Sequence, residues 1–184
     1  MNENTLLLDL ITYFGKFPIK EGVLKLFNRN ATLPGYDELK QVINNMETHS
    51  LVPDIKDFAC GVNEQVLKKQ INNFSGIYLF IDYGAIAIDK DEIQRENGSF
   101  NIGVTVAVPF DHENRDAIES MLLAQQTLNL LIAIREKMKG DQKCGVAWMK
   151  DLTFPHDISP WEHKDLNNST GWTMLFTKKG INII

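Results

Sequence analysis

A chain of 184 residues, 43% of them hydrophobic, has the length of one ordinary domain and enough apolar material for a sizeable core. Its net charge of -5, with the signs interspersed, leaves no basic stripe and argues against nucleic-acid binding as the main role. The N-terminal run MNENTLLLDLITYFGKF lacks the basic region and cleavage site of a signal peptide, and Asp9 interrupts it as a membrane span, so no membrane role is expected.

In chain order, residues 3 to 15 predict a helix with Asn4 or Thr5 as cap and Leu6, Leu7, Leu10, Ile11 and Phe14 on one face. A second helix starts at Pro18, a residue tolerated at the first helical position, and carries Val23, Leu24 and Phe27. A third runs from Pro34 through Glu47 with Tyr36, Leu39, Val42, Ile43 and Met46 at helical spacing. Residues 51 to 54 read as a connection. Val62 to Phe74 predicts a fourth helix, closed by Ser75-Gly76. Cys60 and Cys144 form no metal-ligand spacing and read as free, partly buried thiols in a reducing compartment.

The centre of the chain is two strands and one long helix. Ile77 to Ile88 is apolar almost throughout, with Gly84 predicting a bulge or a bend. From Phe100 to Phe110, apolar residues fill every second position, the period of a strand with one face buried. Burying such side chains is worth roughly 1.5–3 kcal/mol each, so this strand belongs near the middle of a sheet. Between the two runs, charged residues end in Asn97-Gly98, a turn dipeptide, which predicts an antiparallel pair with an exposed tip. Asp111 or Asn114 then caps a helix that nothing breaks from about Arg115 to Lys139, before Gly140. About 25 residues make a helix of roughly 37 Å. Ala117, Met121, Ala124, Leu128, Leu131 and Met138 form one stripe, and Leu123, Leu130 and Ile134 widen it. A helix with that much apolar surface needs either a second layer or a partner subunit.

Past the helix, Val146, Trp148 and Leu152 predict a short strand. Thr153 to Asn168, rich in proline, histidine and tryptophan, reads as an ordered loop packed on the protein. Gly171 to Thr177 reads as the last strand, with Trp172, Met174 and Phe176 on one face and Thr173, Leu175 and Thr177 on the other, followed by an apolar tail. The whole predicts an α+β fold, a two-layer sandwich of a mostly antiparallel sheet with the long helix packed on it, preceded by short N-terminal helices. The division is 1–55 as a helical extension and 56–184 as the α+β domain. The outer sheet face, lined by Asn101, Thr105 and Thr173, is left for solvent or another subunit.

Chemistry is thinly represented. His156 and His163, with Asp157, Glu162 and Asp165 nearby, could ligate zinc or iron, but the spacing fits no known ligand pattern, and polar-loop histidines are the commoner explanation. Glu162 and His163 could form an acid/base pair, yet no Gly-x-Ser-x-Gly elbow supplies a nucleophile. Asp82, within an apolar strand, is either a perturbed acid or a residue on the strand's outer side. No Gly-rich phosphate loop is present, and no cofactor is implied.

The order of a helix, a strand pair with a charged tip (IYLFIDYGAIAID and GSFNIGVTVAVPF), an acid-capped long helix and strands ending in GWTMLFTKK resembles that of tail terminator, or tail completion, proteins of tailed phages and prophages. The likeness is one of topology and pattern, from about Val62 to Lys179. It implies a non-enzymatic protein that forms a ring of six subunits, capping the tail tube and joining it to the head-side neck. Such a protein is cytoplasmic during assembly and then part of the virion, and its partners are copies of itself and the tail tube and neck proteins. The candidate interface residues are Asn101, Thr105, Trp161 and Trp172, and a charge at Thr105 is expected to block assembly while leaving the monomer folded. Two rival readings stay open: a metal-dependent hydrolase using the loop from His156 to Asp165, and a small-ligand or peptide-binding module with Trp148, Trp161 and Trp172 around a pocket.

Overall fold

A computed structural model describes residues 5–29, 33–90, 96–110, 115–155 and 157–181. Three helices, α1 (Leu6–Phe14), α2 (Lys20–Leu24) and α3 (Tyr36–Asn44), lead into a short strand β1 (Asp57–Cys60) and helix α4 (Glu64–Ile71). The long strands β2 (Tyr78–Lys90) and β3 (Glu96–Pro109) follow, then the long helix α5 (Ala117–Lys143). A 3-10 turn (Ala147–Met149), β4 (Leu152–Thr153), β5 (Ser159–His163) and β6 (Ser169–Ile181) complete the chain.

The six strands form one sheet in the order β1-β2-β3-β6-β4, with β5 also paired to β6. Among the described residues only β1 and β2 run parallel; every other pair is antiparallel. The α+β sandwich with a mostly antiparallel sheet is therefore the architecture. Strand β3 sits between β2 and β6, where its period of two requires it to be. Phe100, Ile102, Val104, Val106 and Val108 are buried on one face against α5 and the N-terminal helices. Leu10, Phe14, Phe17, Val23, Ile43 and Ile55 belong to the same apolar cluster, so the helices before residue 56 share the core of the sheet.

The second face differs from the expected open one. Because β1 and β2 are parallel, α4 between them is a crossover helix, and it lies on the face opposite α5. Leu67, Ile71 and Phe74 pack there with Leu166 on Ala59, Tyr78, Phe80 and Ala107. One half of the sheet is thus covered on both sides, and the other half on one.

Local chemistry explains several boundaries. Helix α5 is capped by Asp116, whose Oδ1 accepts from the backbone N–H of Ile118 at 2.8 Å and of Glu119 at 2.9 Å, while Glu119 Oε2 accepts from Asp116 N at 3.0 Å. This is a capping box, worth about 1 kcal/mol. The caps expected at Asp111 and Asn114 lie outside the described residues, and the helix runs three residues past Gly140 to Lys143. Asn97-Gly98 is not the hairpin turn: both residues are in the ladder, Asn97 opposite Asp89 and Gly98 opposite Ile88. The bulge expected at Gly84 is present as a register shift between Tyr83 and Ile86. Val146 to Trp148 forms a turn rather than a strand, and the supposed loop contains β5, an edge strand that tolerates Pro160 because one of its sides needs no donor.

Lys178 shows how tightly the first core is closed. It is 4% exposed and donates from Nζ to the carbonyls of Trp148 (3.0 Å) and Lys150 (2.8 Å). Burial lowers its pKa from the ordinary lysine value. Nearby, Tyr13 Oη donates to Asp141 Oδ2 at 2.8 Å, and Lys16 pairs with the same carboxylate, tying α1 to the end of α5.

Candidate assembly surface

A helix of 27 residues can bury only one stripe against a sheet. In α5 that stripe is Thr127, Leu131, Ile134 and Met138. The Thr127 hydroxyl is satisfied within the helix, donating to Leu123 O at 2.9 Å. Trp172 of β6 fixes the helix from below, its Nε1 donating to Ala124 O at 2.9 Å.

The opposite side of α5 also carries large apolar side chains as far as Ile132, although it faces outward, and beyond it turns charged with Glu136 and Lys139. Ile118, Met121, Leu122 and Ile132 are 63%, 68%, 65% and 41% exposed. Gln125 and Asn129 lie among them and bond each other, Nε2 to Oδ1 at 2.8 Å, which reduces their demand for water. By length and composition this helix could cross a membrane. Its inner stripe, however, is fully engaged with the sheet. An outward apolar front of this size is out of the ordinary on a globular fold.

The uncovered half of the second sheet face adds a second surface. Asp82, Asn101 and Leu175 are exposed there, Leu175 at 68%, and Thr177 Oγ1 donates to Asn101 Oδ1 at 3.0 Å. Asp82 faces this outer side, where partial desolvation raises its carboxyl pKa. Next to it, burial pushes the Cys60 thiol up to about 12, with the Asp82 charge adding to the effect. Both cysteines are free, but Cys144 is exposed rather than partly buried.

The four residues expected at an interface do not form one surface. Asn101 is on the open half. Thr105 is only 2% exposed, donating to Thr173 Oγ1 at 2.9 Å beneath the covered half, so a charge there would strike the monomer's own interior. Trp161 leans over Gly171 and meets Phe80 with ring centroids 6.2 Å apart. Trp172 is on the opposite face under α5. Trp148 is in the first core beside Tyr13, so the three tryptophans line no common pocket.

Residues suited to chemistry are equally dispersed. His156 lies outside the described residues. Glu162 is exposed on β5, and His163 stacks on Trp161 at 5.9 Å with a buried Nδ1 that has no partner. Among the described residues no group of three or more His, Cys, Asp or Glu could hold a metal. The sequence did not flag Ser169, which stands opposite His163 in the ladder near Tyr78. Burial raises the Tyr78 pKa and the Ser169 hydroxyl opposes that rise, but neither oxygen reaches hydrogen-bond geometry. At 1% exposure Ser169 cannot meet a substrate without opening of the second core.

No protein-family model, curated protein or solved structure matches this chain. The surface itself therefore has to carry the functional reading. What distinguishes it is apolar area without a cover, on a helix whose other side is already committed.

Proposed function

We propose that this chain is a non-enzymatic assembly subunit that closes into a ring, in the role of a tail terminator or neck component of a phage or prophage tail. The observation that carries the reading is the outward front of α5, with Met121 and Leu122 about two-thirds exposed on a helix whose inner stripe is buried. Oligomer interfaces are built on such fronts, and a subunit whose contact patches lie on different sides joins its neighbours head to tail, which closes into a ring when the rotation allows. The open half of the sheet face, around Asn101 and Leu175, supplies the other patch. The tail role comes from the order of elements between Val62 and Lys179 and adds the tail tube and neck proteins as further partners.

Negative-stain imaging of purified protein at rising concentration tests this reading. Closed rings of constant diameter are expected. Single particles of monomer size at every concentration, with or without tail tube protein, would refute it.

A further inference from the structure

The second core contains two rows of residues that differ sharply in size. Across the sheet Tyr78 stands opposite Ala107, Ala107 opposite Gly171 and Gly171 opposite Trp161. In the next row Pro109, Ser169 and His163 stand side by side. Residues opposite one another in a ladder, or two apart along a strand, project to the same face. Tyr78, Ser169 and His163 therefore all project to the side of the sheet that α4 and Leu166 cover. Ala107 and Gly171 put almost no side chain between the rings of Tyr78 and Trp161, which leaves a trough on that side of the sheet.

Three polar atoms meet here without partners. Tyr78 Oη, Ser169 Oγ and His163 Nδ1 are buried, and none has a hydrogen-bond partner among the described residues. Tyr78 is fully buried and Ser169 is 1% exposed. The two hydroxyls are near each other: burial raises the Tyr78 pKa and the Ser169 hydroxyl counters the rise, although no hydrogen bond of ordinary geometry joins them. His163 faces Ser169 directly across the ladder, which puts their β-carbons about 5 Å apart. Roughly nine in ten buried polar groups in folded proteins are hydrogen-bonded, so three unpaired ones around one serine call for a shared partner.

The chemistry of the three narrows what that partner is. Each hydroxyl can donate or accept, and an imidazole nitrogen does one or the other according to its tautomer. The partner must donate and accept at one point and must fit without an opening to solvent. Water does both, and a buried water typically makes about three hydrogen bonds.

We infer that the second core holds one ordered internal water, hydrogen-bonded to Tyr78 Oη, Ser169 Oγ and His163 Nδ1. It joins β2, β5 and β6, and so fastens the edge strand β5 to the middle of the sheet. A direct bond does the same nearby, where Asn167 Nδ2, in the turn between β5 and β6, donates to Phe74 O at 3.4 Å. The inference is independent of the ring reading.

Oxygen-17 relaxation dispersion counts the long-lived internal waters of the wild type and of a Tyr78→Phe, Ser169→Ala variant. The count should fall by one, because the variant leaves His163 Nδ1 as the single polar partner, too few to hold a water. Each single substitution should lower the thermal midpoint by about 2–4 °C, and the double substitution by less than the sum. An unchanged count overturns the inference. Lowered midpoints would then assign a direct bond between Tyr78 and Ser169, and raised midpoints would assign two hydroxyls that are buried unpaired. Circular dichroism keeps folding separate. Should the double variant not fold, a crystal structure of the wild type decides: a water within about 2.7–3.2 Å of all three atoms supports the inference, and a dry site overturns it.

Discussion

The inner stripe of α5 and its outer side as far as Ile132 both carry large apolar side chains, in opposite surroundings. Inside, Leu131, Ile134 and Met138 are fully buried against β3 and β6; outside, Ile118, Met121 and Leu122 carry comparable side chains into solvent. A helix that needed only to cover the sheet could be polar outside, and most are. The inner stripe holds the fold together; on the proposed ring reading, the outer front would hold subunits to one another.

The comparison breaks most visibly through the inner stripe. Leu131→Ala removes side-chain volume from the closed core and should cost about 2–5 kcal/mol in denaturant unfolding, while Leu122→Ala on the outer front should stay within about 0.5 kcal/mol. Equal losses would mean that the two sides are not different environments. Two glycines of the sheet should differ through backbone spacing. At Gly171, paired with Trp161 in the ladder, a Cβ would sit 2.1 Å from Val106 O of the adjoining strand β3, whereas at Gly103, on the open half, the nearest atom is Asp82 Cβ at 3.3 Å. Gly171→Ala should cost about 1–3 kcal/mol or more and Gly103→Ala distinctly less, measured as thermal midpoints. A smaller effect is expected at the start of the helix, where Asp116→Ala removes the cap of both sides at once and should cost about 1 kcal/mol.

Thiol reactivity sharpens the contrast without altering stability. Cys144 should react with an alkylating reagent near neutral pH at the rate of an exposed thiol. Cys60, with its pKa pushed up to about 12, should be labelled only after unfolding. Fast labelling of both in native protein would show that the Cys60 side of the core opens readily. The smallest change in stability, and the largest in assembly, is expected for Met121→Glu with Leu122→Glu: an unchanged thermal midpoint and loss of the oligomer.

Much of this fold could be read from local pattern. The period of two from Phe100 to Phe110 placed β3 at the centre, and the unbroken apolar run after the acidic segment located α5, although not its final turn. The second face could not be read, for a traceable reason. Strand β1 has four residues and pairs along one side only, too little pattern to register as a strand. Without it there is no parallel crossover, and without the crossover nothing places α4 opposite α5. Missing β5 had the same consequence at Trp161, because the irregular composition of an edge strand containing Pro160 and two aromatic rings imitates a loop. These two omissions made Thr105 look open. On the surface, the excess apolar width of α5 was legible, but which of its residues face outward required the packing of Leu131, Ile134 and Met138 to be seen.

The most direct test of the central claim is sedimentation velocity of the wild type beside the Met121→Glu, Leu122→Glu variant over a wide concentration range. The wild type should shift to a larger species of fixed size as concentration rises, while the variant, with the same thermal midpoint, should stay a monomer. Indistinguishable behaviour of the two proteins, both monomeric or both assembled, would contradict the assignment of the outer front of α5 as the assembly surface.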